Sequence, residues 1–179
     1  MNKTILVLAA SPRKGGNSDL LCEQFAQGAR EAGHTVETVF VRDKVINYCL
    51  GCETCLSNGG KCVHKDDMAE ILAKMLAADV IVLATPVYFY AMDAQLKALI
   101  DRSVARYTEI TGKDFYFIVT AADKDRSMVD RAVENLRAYT ACLSDAHEKG
   151  VVHGLGAWKK GEISGSPAMR EARDMGRAV

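Results

Sequence analysis

Short apolar segments alternate with longer amphipathic segments along most of the chain. A continuous apolar run such as Val80–Leu83 is typical of a strand buried on both faces, and apolar residues three or four positions apart indicate helices that cover a sheet. The predicted strands are Thr4–Ala9, Thr35–Val41, Asp79–Ala84, Asp114–Thr120 and Val151–Gly156. The predicted helices are Ser18–Ala32, a segment capped by Asp66 or Asp67 that ends near Ala77, Ala94–Arg106, Met128–Leu143 and Pro167–Ala178. The alternation predicts one α/β domain over residues 1–179, a doubly wound five-stranded parallel sheet with helices on both faces.

Composition narrows the class of protein. The 179 residues include 23 basic and 23 acidic side chains without a long run of either sign, which argues against a nucleic-acid or anionic-membrane partner. No segment approaches the roughly 18 apolar residues of a membrane helix, and the apolar start fits a first strand better than a signal peptide. A cytoplasmic protein is therefore expected, in which six Cys favour thiol or metal chemistry over disulfides.

The segment Ser11–Ser18 joins the first predicted strand to the first predicted helix. Backbone N–H groups of such a loop and of the helix start converge on an anion, and the helix dipole favours negative charge there. Hydroxyl, amide and guanidinium groups add further donors, and here they come from Ser11, Arg13, Asn17 and Ser18. The segment predicts a phosphate site; the alternative is an ordinary turn capped by Asn17 or Ser18.

Two more loops follow predicted strands and reach the same edge of the sheet, where ligands of such folds bind. The loop Thr85–Met92 contains Tyr88, Phe89 and Tyr90, although aromatic residues make up only 7% of the chain. Aromatic side chains beside a phosphate site indicate a flat ring system stacked there. The alternative is that these aromatic residues pack into the core or a subunit contact. The loop Ala121–Arg126 is the third at this edge.

Three motifs together resemble the flavodoxin-like NAD(P)H-dependent FMN reductases. They are Ser-x-Arg-x-x-x-Asn-Ser in the first loop, Thr-Pro-Val-Tyr-Phe after the third strand, and Lys-x-x-Ile-Asp-Arg at Lys97–Arg102. The segment Gly156–Ile163 fits the same family, so the resemblance covers nearly the whole chain.

The resemblance implies a flavodoxin-like fold that binds FMN non-covalently and takes NAD(P)H as a co-substrate. The phosphate would be held by Ser11, Arg13, Asn17 and Ser18, and the ribityl chain and isoalloxazine ring would lie along Pro86, Val87, Tyr88 and Phe89. The polar edge of the ring would face the backbone of Thr120, Ala121 and Ala122. Lys159 and Lys160 are expected in a solvated loop, with contact to a neighbouring subunit's cofactor as the alternative.

A second motif contains four cysteines, at Cys49, Cys52, Cys55 and Cys62. Their spacing suits a single inorganic centre, and two successive Cys-x2-Cys steps favour a cubane cluster over zinc. The motif resembles the iron–sulfur flavoprotein branch of the same family, which implies a [4Fe–4S] cluster. Structural free thiols and a zinc site are the two alternatives. Cys22 and Cys142 are interpreted as small apolar core residues.

Two functions remain open at this point. The first is an enzyme that transfers hydride or electrons from NAD(P)H to a flavin, quinone or similar acceptor. The second is an electron carrier, in which FMN and a cluster relay electrons to a ferredoxin-like partner. The resemblance and the apolar segments Tyr88–Met92 and Gly154–Trp158 predict a homodimer or a tetramer.

Overall fold

The computed structural model of the protein describes residues 2–179. Five strands form a parallel sheet in the order β2-β1-β3-β5-β6, and β4 pairs antiparallel with the end of β3. The strands are β1 (Thr4–Ala9), β2 (Thr35–Phe40), β3 (Val80–Tyr88), β4 (Ala91–Met92), β5 (Asp114–Thr120) and β6 (His147–Gly154). This is the doubly wound arrangement with a switch point between β1 and β3, and the α/β fold predicted from the sequence is confirmed.

The helices lie on both faces of this sheet. They are α1 (Asn17–Glu31), α2 (Thr54–Ser57), α3 (Met68–Ala77), α4 (Ala94–Arg102), α5 (Arg126–Thr140) and α6 (Pro167–Arg177). Apolar residues of α3, α4 and α5 form one core with the sheet, and those of α1 and α6 form a second core on the opposite face. No helix among residues 2–179 combines the length and the hydropathy that crossing a bilayer would need.

The sequence placed β3 and β6 incorrectly. β3 continues four residues beyond Ala84 to Tyr88, because its end turns back into β4 through Phe89 and Tyr90. β6 begins at His147, four residues before the predicted start, and its first three residues are exposed. Backbone pairing with β5 holds this polar end at the edge of the sheet, and a hydropathy pattern does not show such pairing.

Two cysteines outside the four-cysteine motif differ in burial. Cys22 is in the core between α1 and the sheet, as expected. Cys142 was expected in the core as well, but it is exposed just after α5, where its thiol donates to the backbone oxygen of Ala138. The prediction for Cys142 was wrong because α5 ends at Thr140 instead of continuing to Leu143.

Candidate functional site

A cleft opens at the carboxyl ends of β1, β3 and β5, beside the switch point of the sheet. Its volume is about 120 Å³. It is lined by Ser11, Arg13, Asn17, Ser18, Pro86, Val87, Tyr88, Thr120, Ala121, Ala122, Ala157 and Trp158. The structure therefore brings together every residue predicted to contact the cofactor except Phe89, which lines an adjoining cleft of about 430 Å³ with Tyr90 and Asp123.

Three hydroxyl groups form the polar floor of the cleft. Ser11, Ser18 and Thr120 are each at most 5% exposed. The hydroxyls of Ser18 and Thr120 are 2.6 Å apart and share a hydrogen bond, while the Ser11 hydroxyl accepts one from the backbone N–H of Arg13 at 3.2 Å. Ser18 lies in the first turn of α1, where the leading N–H groups have no partner within the helix. The floor thus provides donors suited to an anion.

A buried ion pair fixes the loop before α1. The Arg42 guanidinium lies 2.9 Å from the Asp19 carboxylate, and both side chains are almost fully buried. Asp19 also accepts from the backbone N–H of Gly15, and Arg42 donates to the backbone oxygen of Ser11. Arg42 follows β2, so its contact with this loop could not be predicted from a linear pattern. The pair orders the loop and compensates the one carboxylate that would repel an anion there.

Gly16 leaves room at the start of α1. A Cβ atom at this position would lie 2.9 Å from the backbone oxygen of Arg13 and 3.5 Å from the Ser11 hydroxyl oxygen. Any larger residue would therefore crowd the tight turn in front of the helix, where an anion would approach the backbone.

Asn17 connects the predicted phosphate loop, Ser11–Ser18, to the segment 157–163. Its side-chain amide donates to the backbone oxygens of Ala157 and Lys159 and accepts from the N–H groups of Gly161 and Ile163. Both amide hydrogens are engaged in these bonds. The sequence placed Asn17 at the phosphate as a donor; in this conformation its side chain instead holds the segment 157–163 against the cleft.

Two cations lie at the mouth of the phosphate loop. The Arg13 guanidinium donates to the backbone oxygen of Trp158 at 2.9 Å. Lys160 lies above Gly15, where a Cβ atom would be 3.2 Å from its ammonium nitrogen. Within residues 2–179, neither cation has an ion-pair partner within 4.0 Å. Lys160 thus lies beside the Gly15 turn of its own chain. The sequence alone could not show this, because only the fold brings the two segments together.

Aromatic side chains border the two clefts. Phe89 is fully exposed, Trp158 is 68% exposed, and Tyr88 and Tyr90 are 40% and 43% exposed. Phe89 and Tyr90 have φ values of 49° and 60°, so both central residues of the β3–β4 turn are left-handed. Such a turn matches the twist of a hairpin but is costly for bulky residues. It presents apolar rings to the solvent at the edge of the site.

All four motif cysteines line a second cavity of about 230 Å³, together with Arg102. Cys49, Cys55 and Cys62 are half-buried and Cys52 is exposed. Hydrogen bonds from Thr54 at the start of α2 lower the pKa of the Cys52 thiol. Within residues 2–179, no three His, Cys, Asp or Glu side chains are placed to hold one metal ion. A [4Fe–4S] cluster makes a different demand, because each thiolate binds a separate iron.

A buried ion pair lies at the base of this cysteine loop. Asp66 accepts from the N–H of Met68, the first residue of α3, as the predicted helix cap would. Its main partner, however, is the Arg102 guanidinium of α4, which donates two hydrogen bonds to it at 2.8 and 2.9 Å. These bonds hold the pKa of the Asp66 carboxyl far below its usual range.

Comparison with known proteins agrees with this geometry. The sequence profile of a family described as NADPH-dependent FMN reductase matches residues 3–150. An iron–sulfur flavoprotein of Archaeoglobus fulgidus is 41% identical over 95 residues, which cover 53% of this chain and 43% of that protein. One of Methanocaldococcus jannaschii is 43% identical over 99 residues, covering 55% of this chain and 51% of that protein. The chain thus spans about half the length of the curated relatives it matches.

Two solved structures show the same fold at low sequence identity. An NAD(P)H:quinone oxidoreductase from Methanothermobacter marburgensis superposes with a TM-score of 0.75 at 19% identity, covering 99% of this chain and 98% of that one. An FMN-dependent NADH-azoreductase from Bacillus anthracis, solved in complex with FMN, has a TM-score of 0.75 at 17% identity and covers 98% of both chains. With a flavodoxin-like fold and a family profile that matches most of its length, the chain belongs to the NADPH-dependent FMN reductase family.

Proposed function

We propose that this protein is an FMN-dependent oxidoreductase that transfers hydride or electrons from NAD(P)H to a flavin, a quinone or a similar acceptor. The observation that carries the proposal is the cleft at the switch point, where a donor-rich loop and an aromatic loop face each other. Family membership supports the same conclusion.

The residues of the cleft fit FMN in their chemistry. Ser11, Arg13 and Ser18 would hold the phosphate, with Asn17 ordering the neighbouring segment and contributing its backbone N–H. Pro86, Val87, Tyr88 and Phe89 would lie along the ribityl chain and the ring, and the backbone of Thr120, Ala121 and Ala122 would face the polar edge of the ring. When bound, FMN supplies the hydride and electron chemistry, while the protein supplies position and electrostatics.

A nicotinamide would bind over the exposed face of the flavin. The adjoining cleft of about 430 Å³, bordered by Phe89, Tyr90 and Trp158, is open to solvent on the aromatic side of the site. It offers stacking surface for a second flat ring. The chain has no second dinucleotide-binding fingerprint, so the co-substrate would bind transiently and leave before the acceptor enters.

The proposed reaction is tested by steady-state kinetics under anaerobic conditions. Protein loaded with FMN is mixed with NADPH or NADH and a soluble quinone, and nicotinamide oxidation is followed by absorbance. We expect turnover that depends on FMN and on the quinone. Protein that binds FMN but does not oxidise either nicotinamide would overturn the enzymatic proposal and leave the electron-carrier function below.

We further propose that Cys49, Cys52, Cys55 and Cys62 hold a [4Fe–4S] cluster, which would exchange single electrons with FMN and with a ferredoxin-like partner. The specific observation in favour is that these four thiols line one cavity. Their identity and number match the ligand set of such a cluster. Similarity to iron–sulfur flavoproteins supports the same assignment.

Iron and acid-labile sulfide in anaerobically expressed and purified protein test this assignment. We expect stoichiometric iron and sulfide, and each single Cys→Ser change in the motif should abolish both while FMN stays bound, because cluster ligands act as a set. Cys142→Ser is the matched control, since that exposed thiol lies outside the motif. Iron and sulfide near zero in the parent protein would leave free structural thiols or zinc.

The extent of the domain, its cellular location and its assembly are proposals as well. We infer one FMN-binding domain over residues 1–179, a cytoplasmic location and a homodimer or tetramer. All six cysteines are free thiols in the structure, which supports a reducing compartment. The exposed aromatic residues beside the cleft support a subunit contact there.

A further inference from the structure

We propose that Arg102 is a positioning residue of the four-cysteine site: fixed by Asp66, it closes the base of the cysteine loop and supplies its Nε–H as a hydrogen-bond donor to the sulfur atoms. The inference rests on the proposed [4Fe–4S] site and deepens it. It assigns a role to a charged side chain that does not line the FMN cleft.

The first observation is the burial of the pair. The side chains of Arg102 and Asp66 are only 2% and 1% exposed, and the guanidinium binds the carboxylate through both terminal nitrogens. A buried ion pair seldom adds net stability, because removing two charges from water costs about as much as their attraction returns. Its presence under a loop of thiols therefore calls for a role other than stability.

The second observation is that the pair joins the two ends of the cysteine loop. Arg102 donates to the backbone oxygen of Asn47 at 2.7 Å, two positions before Cys49. Asp66 accepts from the backbone N–H and the side-chain amide of Asn47 at 3.0 and 3.1 Å. Asp66 itself follows Cys62 by four positions. The segment that carries all four thiols is thus closed at its base by one guanidinium from α4.

The third observation concerns the remaining donor of Arg102. Its two terminal nitrogens bind Asp66 and Asn47, but the buried Nε has no hydrogen-bond partner among residues 2–179. Arg102 lines the same cavity as the four cysteines. A buried N–H without an acceptor is costly, and we infer that the sulfur atoms of this cavity serve as its acceptors.

The expected consequence is a change in redox potential with a defined sign. Hydrogen bonds to the sulfur atoms of a cluster favour its reduced, more negative state and raise its potential. Asp66 balances the charge of Arg102. Removing the donor should therefore lower the potential, whereas removing the balancing carboxylate should raise it. A loop that had merely loosened would not shift in opposite directions for the two changes.

The test is a potentiometric titration of the cluster, followed by electron paramagnetic resonance, in Arg102→Lys, Arg102→Gln and Asp66→Asn. We expect a lower potential in both Arg102 variants and a higher one in Asp66→Asn. Arg137→Gln is the matched control, because Arg137 lies on α5 and forms its ion pairs with Glu134 and Glu148. It should leave the potential unchanged. Unchanged potentials in Arg102→Lys and Arg102→Gln would overturn the proposal.

A second readout covers variants that bind no iron. Hydrogen exchange of residues 47–66 is then compared in metal-free protein, with FMN fluorescence as a check on the rest of the fold. We expect faster exchange of this segment in Arg102→Gln and not in Arg137→Gln. Equal exchange would refute the closing role of Arg102. Parent protein without iron would instead refute the proposed cluster, so the two failures are distinguishable.

Discussion

At the scale of single residues, the phosphate loop is the part of the site whose chemistry is most fully specified. Its hydroxyls are buried and its turn has room only for glycine at position 16. The two nearby cations, Arg13 and Lys160, lie on the solvent side. This division predicts that the hydroxyls and backbone position an anion while the two cations set the strength of its binding.

Arg13→Ala should weaken FMN binding by about 1.5–3 kcal/mol, because it removes a charge-assisted hydrogen bond to the phosphate. Fluorescence titration with FMN measures the change. Arg30→Ala is the control, since Arg30 lies at the far end of α1 and pairs with the exposed Glu23. Equal FMN affinity in Arg13→Ala and Arg30→Ala would remove Arg13 from the site.

Lys160→Ala should have a smaller effect, about 0.5–1 kcal/mol, because an exposed ammonium acts through screened Coulomb attraction. The loss should shrink as salt is raised, and riboflavin, which has no phosphate, should bind equally to parent and variant. Lys159→Ala is the matched control, because only the backbone of Lys159 is engaged, with Glu162 and Asn17. Equal loss in both Lys variants would count against a specific role of Lys160.

The sequence identified the members of the cleft but not how they are used. Ser11, Ser18 and Thr120 follow from strand ends and loop chemistry, which a linear pattern shows. The contacts of Asn17 with the segment 157–163 join residues 140 or more positions apart. Such contacts depend on how α1 and the segment after β6 pack together on one face of the sheet, and no periodicity encodes that.

At the scale of elements, the turn from β3 to α4 contains a buried carboxyl that responds to pH. Asp93 is the N-cap of α4 and accepts from the N–H of Leu96, but its second oxygen has no partner among residues 2–179. Burial raises the pKa of Asp93 to about 7. The folded protein therefore keeps this proton at a pH where the unfolded chain, with an ordinary carboxyl pKa near 4, has released it.

Asp93→Asn should make stability less dependent on pH. In the parent protein, the contribution of Asp93 is fully present below about pH 4 and is lost as pH rises to about 7, since the unfolded state loses the proton first. The asparagine keeps an acceptor for Leu96 without the charge. Urea unfolding gives the free energy of unfolding at pH 5 and at pH 8. The difference between these two values should be smaller in the variant than in the parent protein.

Asp125→Asn serves as the control for that experiment. Asp125 caps α5 from an exposed position, and its hydrogen bonds from Ser127 lower its pKa. Its contribution is therefore present above the ordinary carboxyl pKa and lost in acid, the opposite sign from Asp93. If the difference in free energy of unfolding between pH 5 and pH 8 became smaller by the same amount in both variants, this would contradict the role given to Asp93.

The helices and strands could be predicted where the hydropathy pattern is clear, and not where pairing depends on a turn. β1 and β5 have the predicted bounds because both are buried apolar runs. β4 was missed because Ala91 and Met92 pair only through a turn with left-handed Phe89 and Tyr90, a conformation that bulky residues rarely adopt.

At the scale of the whole molecule, the exposed aromatic surface around Phe89 and Trp158 predicts self-association. Phe89→Ser should lower the fraction of dimer or tetramer. The Phe89 ring is fully exposed in the single chain, and burying its apolar surface in a subunit contact would favour association. Light scattering at micromolar concentration measures the mass. Val45→Ser is the control, since Val45 is exposed on another part of the surface. A monomeric parent protein would contradict the predicted assembly.

The cleft proposed for FMN and the cavity proposed for the cluster lie at different places in the fold. The FMN cleft lies at the ends of β1, β3 and β5, and the cysteine cavity lies against the end of α4. The fold explains the first directly, since every flavodoxin-like sheet has a crevice at its switch point. The second depends on a loop with little apolar content, which a bound cluster would order.

In the proposed function, the switch-point cleft binds FMN and a nicotinamide reduces it there. The most direct measurement is the absorption spectrum of anaerobic protein titrated with FMN and then with NADPH or NADH. We expect saturable binding of one FMN per chain and bleaching of the flavin bands by a nicotinamide. Protein that binds no FMN, or whose bound flavin keeps its oxidised spectrum in excess NADPH and NADH, would contradict it.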